Sequence, residues 1–494
     1  MALDNAPTPN RETKDTEKYK DENKNSAPHL EEGNAMEKAN ERQKNLYEER
    51  IADFHRLGWK RLTILLIVEA VALGSLSIPS AFASLGMVAG VICSVGLGII
   101  AIYTSYIIGE VKLAYPHISN YADAGRLIGD RYGCGRLIYA IISTMIILQL
   151  IFLVGSHCLT GTIAFMAITK SDICSVVFGV VSAIILLLLA IPPTFADIAI
   201  LGYIDFASIL LAIGITMIGS GRDAATSPGG LAGVNWSAWP KENLTFAEAF
   251  VALSNIIFAY SFAMVQFSFM DEMHTPADYK KSILALGVAE IVIYTLTGAL
   301  IYAFVGQDVA SPALSSLGNV LSRVAFGIAL PVIFISGSIN IVIFGRQVHG
   351  TIFANSPIRL VASRAGWLTW LATISVGTVI AFVIAEVIPF FNDLLSISSA
   401  LFISGFTYYF PAIMWFLLLR KKGESRWSLA QIILNIAIFL MGLVILAGGI
   451  YSSVNDIVRV TVHNFWNSLL IRIEQITKYN TGSIRSPFTC ATPS

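Results

Sequence analysis

Eleven apolar segments, spans one to eleven in chain order, follow residue 60. Each has the length, about 20 residues, that an α-helix needs to cross the hydrocarbon core of a bilayer. Only 13% of the residues are charged, against about 25% in soluble domains. Because a backbone in lipid must satisfy its own hydrogen bonds, the pattern predicts an all-α polytopic membrane protein. The spans lie at about 61–84, 87–115, 136–166, 172–191, 198–220, 246–270, 282–305, 324–345, 367–388, 391–419 and 428–452.

Hydrophilic segments flank the spans at both ends of the 494-residue chain. Residues 1–55 are rich in Lys, Glu, Asn and Asp and nearly free of large apolar side chains, so they cannot bury enough surface to fold. We therefore expect a disordered cytoplasmic tail over 1–55 and a transmembrane domain over 56–453. Residues 454–494 are expected to form an extracellular C-terminal tail, because an odd number of spans separates the two ends.

The distribution of Lys and Arg among the short loops predicts this orientation. With the N-terminus inside, the cytoplasmic loops hold twelve basic residues and the outer loops hold four. An excess of basic residues on the cytoplasmic side is the rule for membrane proteins. The longest outer loop, about 221–245, also contains two glycosylation sequons, at Asn235 and Asn243. Both asparagines are therefore expected glycosylation sites.

The stretch EAVALGSLSIPSAFASLG, residues 69–86, interrupts the apolar character of span one. Pro79 has no N–H to donate, so a helix that enters this stretch should unwind or kink. In a membrane, an unwound helix is tolerated where it faces protein or a wet cavity, and such helices form the substrate and ion sites of many transporters. The sequence therefore predicts a binding site at this break, with a harmless proline kink as the alternative.

Ionisable residues within the spans are few, and each is costly unless it is paired or faces a cavity. A buried carboxyl can bind and release a proton near neutral pH, as a proton-coupled carrier requires. Glu69 is the first candidate because it precedes the predicted break, and Asp205 and Glu290 are the next. Glu110 and Glu386 lie near span ends, where snorkelling or capping is the simpler interpretation. His157 is interpreted as a structural histidine.

Spans six and eight carry further polar residues. Span six includes Phe258, Ala259, Tyr260 and Ser261, and in a five-plus-five inverted repeat it would be the partner of span one. Its aromatic side chains could then wall a substrate pocket, although ordinary helix packing explains the same residues. Span eight contains Ser336, Ser338 and Asn340. Their side-chain oxygen atoms could bind a cation, or the side chains could form hydrogen bonds between helices.

Several classes of function are disfavoured by composition. The net charge is zero and no basic cluster alternates with aromatic residues, so nucleic acid is an unexpected partner. The five cysteines show no CxxC spacing, so no metal is expected. The loops contain no His, Asp or Ser pattern with catalytic spacing, so we expect neither an enzyme nor a cofactor. The expected partners are the lipid bilayer and a small molecule.

Four motifs together resemble the amino acid/auxin permease family of the amino acid–polyamine–organocation group. They are GSLSIPSAF after Glu69, YADAGRLIGDRYG at 121–133, FSFMDEMHTPADYKKS at 267–282, and PFFNDLLSISSALFISGFTYYFPAIMWF at 389–416. The chain looks most like the fungal neutral amino acid permeases, proton symporters of aliphatic and aromatic amino acids in the plasma membrane.

The resemblance implies eleven helices in a leucine-transporter-like inverted repeat, with helices one and six broken. It further implies that a neutral amino acid is bound and carried by alternating access. Carried to matching positions, the substrate residues are Gly74, Ser75, Leu76 and Ser77, opposite Phe258, Ala259 and Tyr260. Span six lacks the proline or glycine that breaks this helix in some relatives. Sodium coupling, a receptor or sensor role and a vacuolar location remain open, as does the oligomeric state.

Overall fold

The computed structural model describes residues 58–171, 173–193, 195–353, 363–388, 390–420 and 427–467, with 356, 358 and 361 between them. Within these residues the secondary structure is helical, without a β-strand. The tail predicted over 1–55 lies outside them, as does the chain after 467. The α-helices are α1 (Trp59–Ala114), α2 (Tyr121–Asp130), α3 (Gly135–Thr169), α4 (Ser175–Leu189), α5 (Phe195–Thr226), α6 (Phe246–Ala259), α7 (Gln266–Asp271), α8 (Tyr279–Val305), α9 (Asn319–Ile352), α10 (Arg364–Val387), α11 (Phe391–Ser398), α12 (Phe410–Met414) and α13 (Trp427–Asn467).

The helices follow the predicted spans closely. Among the described residues, eight helices are long and apolar enough to cross a membrane, and nine if the bent pair in span six counts as one. This confirms the all-α polytopic membrane fold. Spans one and two form the two arms of α1, which meet at Gly86. Span four is the 15-residue α4, which at about 1.5 Å per residue is shorter than a bilayer core.

Span one is helical throughout, so the predicted unwinding between Gly74 and Pro79 is wrong for this conformation. Gly86 is the residue of α1 with non-helical torsions. Pro79 removes one backbone hydrogen bond, and serine hydroxyls bond to carbonyls of the preceding turn. Ser75 donates to Val71 at 2.7 Å, and Ser77 donates to Gly74 at 3.0 Å. The polar residues are thus satisfied within the helix, which neighbouring helices bury.

The turn at Gly86 is held by the loop before α6. Its φ of 79° and ψ of 167° are backbone angles that essentially only glycine adopts. Beyond the turn, the amides of Met87 and Val88 donate to the carbonyls of Ser237 and Ala238 at 3.0 and 3.1 Å. Before the turn, the Lys241 amide donates to the Ser84 carbonyl at 3.2 Å, so residues 237–241 bond to the end of span one and to the start of span two.

Span six is broken, as the family resemblance implied. Helix α6 begins with a capping box in which Thr245 and Glu248 bond each other's backbone amides, and it ends at Ala259. The chain continues as a 3₁₀ turn, Ser261–Val265, and then as α7. The two halves are bent by 45°. Because the break lacks proline and glycine, tertiary contacts must maintain it.

Span ten is irregular as well. After α11 it continues as a π-helix over Ser399–Tyr409, then as α12, and ends in a second π-helical stretch, Trp415–Leu419. π-helical turns are rare and frequent at functional sites.

Span one lies at the centre of the bundle. Four of its apolar side chains are fully buried by other helices and do not face lipid: Val68, Val71, Ile78 and Phe82. Helix α10 instead leaves Val379 61% exposed, as expected of a lipid-facing side chain.

Candidate functional site

The break in span six is stabilised by hydroxyl groups from two other spans. The torsions of Tyr260, φ −96° and ψ 39°, leave the helical range. A helix that ends leaves its last carbonyl oxygens without backbone donors. The Tyr294 hydroxyl of α8 lies 3.0 Å from the Ala259 carbonyl oxygen. The Thr407 hydroxyl of span ten donates to the Tyr260 carbonyl oxygen at 3.4 Å.

Span one contacts this break directly. A Cβ added to Gly74 would lie only 2.8 Å from the Cα and Cβ atoms of Ala259. The Tyr294 hydroxyl also lies 2.9 Å from the carbonyl oxygen of Ala70 in span one. A hydroxyl has one hydrogen, so Tyr294 either donates to these two carbonyls in turn or shares its hydrogen between them, and in both cases it links span one to span six. The structure therefore places Gly74 of span one against Ala259 of span six, two of the predicted substrate residues.

The side chains of the other predicted substrate residues are engaged or buried. Ser75 and Ser77 bond within span one, as described above, and Leu76 is 2% exposed. On the opposite side, Phe258 is 3% exposed and the Tyr260 hydroxyl donates to the Ser94 carbonyl oxygen at 2.8 Å. In span six, Ser261 lies at the start of the 3₁₀ turn and is partly exposed.

Asp205 lies on one side of span one, in contact with span eight. The Ser336 hydroxyl is 3.0 Å from an Asp205 carboxyl oxygen and 3.1 Å from the Val68 carbonyl oxygen of span one. All three residues are fully buried. Ser336 has one hydrogen, so it can donate to both acceptors only in turn. If Asp205 is protonated, it donates to Ser336 and Ser336 donates to Val68; if Asp205 is ionised, Ser336 donates to Asp205.

Glu290 lies on α8, one turn before Tyr294. It is fully buried, and among the described residues neither of its carboxyl oxygens has a hydrogen-bond partner. A charge on Glu290 would interact with the hydroxyls of Tyr260 and Tyr294. Because an isolated buried carboxylate is costly, the neutral acid is the form that suits these surroundings.

The three cation candidates of span eight do not share one site. The Ser338 hydroxyl donates to Ile335 of its own helix at 2.7 Å. The Asn340 amide donates to the Ser336 carbonyl oxygen at 3.1 Å. Both bonds are within α9, whereas the Ser336 hydroxyl contacts Asp205 of span five. Among the described residues, no cluster of three His, Cys, Asp or Glu side chains could hold a metal ion.

Three other predicted sites stay predictions. Glu69 lies on helical backbone in span one, but its side chain is outside the described residues. Asn235 and Asn243 are exposed in the loop before α6, as glycosylation requires. The hydroxyl of Thr245, in the second sequon, accepts a bond from the Glu248 amide in the capping box.

Side-chain bonds link the spans at both ends of the site. At the predicted outer end, Asn392 of span ten bonds to Ser311 at 2.6 Å and to Ser80 of span one at 3.4 Å. At the other end, Lys112 of span two pairs with Asp271 of α7 at 2.6 Å. The predicted substrate residues thus belong to spans that polar contacts join at both ends.

The predicted inner end has further links to span six. Arg346 of α9 pairs with Glu272 at 2.9 Å. The ring of Tyr121, in α2, packs edge-on against Phe267 and Phe406 with centroids 5.1 Å apart in both cases. Span six is therefore tied to spans two, eight and ten where it leaves the bundle.

Replacing Lys112 by methionine is expected to lower the stability of the folded protein by about 3 kcal/mol. Lys112 is 3% exposed and also donates to the carbonyls of Pro116 and Ile118. Its loss would leave Asp271 and two carbonyls without this donor. Thermal unfolding of the detergent-solubilised protein measures the effect. The matched control is Lys280→Met, since Lys280 pairs with Glu110 at 2.7 Å but is 47% exposed; equal losses in both variants would contradict the prediction.

Sequence reasoning missed Tyr294, Thr407 and Lys112. Tyrosine and threonine are common in membrane helices and give no signal of their own. The spacing of Tyr294 four residues after Glu290 places both on one face of α8, and this was the available clue. Lys112 is at the end of span two, where a lysine usually snorkels to the interface.

Comparisons with known proteins agree on one family. The family model described as "Transmembrane amino acid transporter protein" matches residues 55–455. The "N amino acid transport system protein" of Neurospora crassa is 57% identical over 443 residues, which cover 89% of each chain. "Amino acid permease 8" of Arabidopsis thaliana is 24% identical over 79% of this chain and 90% of its own.

Among solved structures, Mhp1, a nucleobase-cation-symport-1 family transporter in a closed conformation with bromovinylhydantoin bound, has a TM-score of 0.48 at 13% identity. The match covers 81% of this chain and 91% of that one. The family match and the relative from Neurospora together cover nearly all of the membrane region. This chain is a multi-pass membrane protein that belongs to the transmembrane amino acid transporter family.

Proposed function

We propose that the protein imports neutral amino acids across the plasma membrane together with protons, by alternating access. The observation that carries the proposal is the contact between span one and the break in span six, with the buried carboxyls Asp205 and Glu290 beside it. A binding site at the midplane between these two spans is the arrangement found in many secondary transporters.

The neutral substrate class is supported by the side chains around the break. Phe258, Ala259 and Phe262 are apolar and buried, and the nearby ionisable groups Asp205 and Glu290 are acidic. A charged substrate side chain would need a counter-charge in these surroundings. An acidic substrate would be repelled by an ionised carboxyl, and a basic one would compete with the proton.

Proton coupling is supported by the chain of contacts from Asp205 to span one. Protonation of Asp205 lets Ser336 donate to the Val68 carbonyl oxygen, whereas ionisation draws the Ser336 hydroxyl toward the carboxylate. The protonation state of Asp205 therefore decides whether span one is bonded to span eight at this point. A difference in interaction between two states is what allows a bound proton to shift a conformational equilibrium.

Alternating access would require the two sets of end contacts to open in turn. The bonds of Asn392 must break for an outward-facing state, and those of Lys112 and Arg346 for an inward-facing one. The bend in span six supplies a hinge, since a discontinuous helix can change its angle without losing a continuous hydrogen-bond ladder.

Uptake of labelled amino acids by cells without their own permeases tests this function. We expect saturable uptake of neutral amino acids that increases at acidic pH, persists when sodium is replaced by choline, and is not inhibited by lysine or glutamate. Loss of uptake in choline would favour sodium coupling. Surface labelling of the tagged protein distinguishes the plasma membrane from the vacuolar membrane. Absence of uptake at both acidic and neutral pH would refute the proposal.

A further inference from the structure

The two buried carboxyls are related to span one in similar ways. On one side, Asp205 contacts a Ser336 hydroxyl that also reaches a carbonyl of span one. On the other side, Glu290 is one helical turn from Tyr294, whose hydroxyl reaches the carbonyls of Ala70 and Ala259. The second arrangement differs because it joins span one to the break in span six, where the substrate is proposed to bind.

We propose that Tyr294 is a positioning residue through which Glu290 makes substrate affinity depend on pH. This inference rests on the proposed function and names a regulation of the same site. With Glu290 protonated, the Tyr294 hydroxyl donates to the carbonyls and holds span one against span six. When Glu290 releases its proton to water, the carboxylate becomes the stronger acceptor and draws the hydroxyl away. The link between the two spans is then lost.

Burial and spacing support this switch. Both carboxyl oxygens of Glu290 are buried without a partner among the described residues, so an ionised Glu290 would gain from any donor within reach. Residues four apart on a helix face the same side, so the donor that we assign to an ionised Glu290 is the Tyr294 hydroxyl. A hydrogen bond to a charged acceptor is about twice as strong as one to a neutral acceptor. The Tyr294 hydroxyl should therefore donate to the carboxylate in preference to a carbonyl.

The other ionisable groups that concern this proposal lie on several helices. The ring of Tyr260, in span six, lies 5.2 Å from the ring of Tyr294, at an interplanar angle of 75°. The Tyr260 hydroxyl donates to Ser94, so it does not join spans one and six. On span five Asp205 contacts Ser336, and on span one Glu69 precedes Ala70.

The direction of the pH effect follows from the geometry. The link exists while Glu290 is neutral, so it is complete at low pH and is lost as pH rises through the titration of Glu290. Since the link aligns the two spans that form the proposed site, the KM for the amino acid should be lowest at low pH and rise with pH. One hydrogen bond to a carbonyl corresponds to a change of about fivefold.

The pH dependence of KM in the full-length protein tests the inference. We expect Tyr294→Phe to raise KM by about fivefold at acidic pH and to remove most of its pH dependence. Glutamine has nearly the shape of a protonated glutamate and no charge, so Glu290→Gln should retain a low KM at every pH. The matched control is Tyr302→Phe, which removes another buried hydroxyl of α8, bonded to Ser237 and Gln307. It should keep the wild-type pH dependence.

Two outcomes separate this inference from the proposed function. A Tyr294→Phe variant whose KM changes with pH as in the wild type would overturn the positioning role, and so would an unchanged pH dependence in Glu290→Gln. In either case proton-driven accumulation would still stand. Wild-type uptake that does not respond to pH would instead refute proton coupling and this inference together. If Tyr294→Phe does not reach the membrane, the profile of Glu290→Gln alone decides.

Discussion

Replacing Asp205 by asparagine is expected to abolish accumulation of amino acids against a gradient, while exchange across the membrane continues. Asparagine has nearly the same shape but cannot bind and release a proton. With a pH difference of about two units, one coupled proton can support about a hundredfold accumulation, and this ratio should fall to about one in Asp205→Asn. Steady-state levels of a labelled, non-metabolised neutral amino acid measure the change.

Controls for this prediction come from the same chain. Glu110→Gln removes a carboxyl that pairs with Lys280 and is 33% exposed, and it should accumulate substrate normally. Ser336→Ala removes the hydroxyl between Asp205 and Val68 and should weaken coupling, whereas Ser336→Thr should restore it. Wild-type accumulation in Asp205→Asn would show that the coupled proton is carried elsewhere, with Glu69 as the next candidate.

Replacing Gly86 by alanine is expected to lower the stability of the fold by about 3 kcal/mol or more. Its backbone angles are unfavourable for any residue with a side chain. In addition, a Cβ at this position would lie 2.4 Å from the backbone carbonyl of Trp239. This clash cannot relax without moving residues 237–241, which bond to Ser84 before the turn and to Met87 and Val88 after it. Thermal unfolding and membrane expression both report the loss.

Gly96→Ala is the matched control for Gly86→Ala. Gly96 lies on the same helix, α1, and nothing lies within 4 Å of an added Cβ. Alanine is the better helix former, so this variant should be as stable as the wild type or more stable. If the two variants lost stability equally, glycine at 86 would not be required by the turn.

The fold could be predicted in outline because each span carries its own signal. Segments of about 20 apolar residues must be helical in lipid. The two π-helical stretches of span ten have the same apolar pattern as an α-helix, so the sequence did not reveal them. The geometry of the candidate site followed the expectation in part. Gly74 and Ala259 were expected to face each other and do so, while the helical state of Gly74, Ser75 and Ser77 was not expected.

Local sequence determined that this chain is an all-α membrane protein with carboxyls in its spans, because length and hydropathy alone decide which segments can enter a bilayer. Tertiary structure decided which helix breaks. Pro79 loses one hydrogen bond and is held in a helix by its neighbours, whereas Tyr260 interrupts span six because Tyr294 and Thr407 bond to the carbonyls that are freed. The contact from Asp205 to Ser336 likewise joins residues far apart in the chain, and a single sequence does not reveal such a pairing.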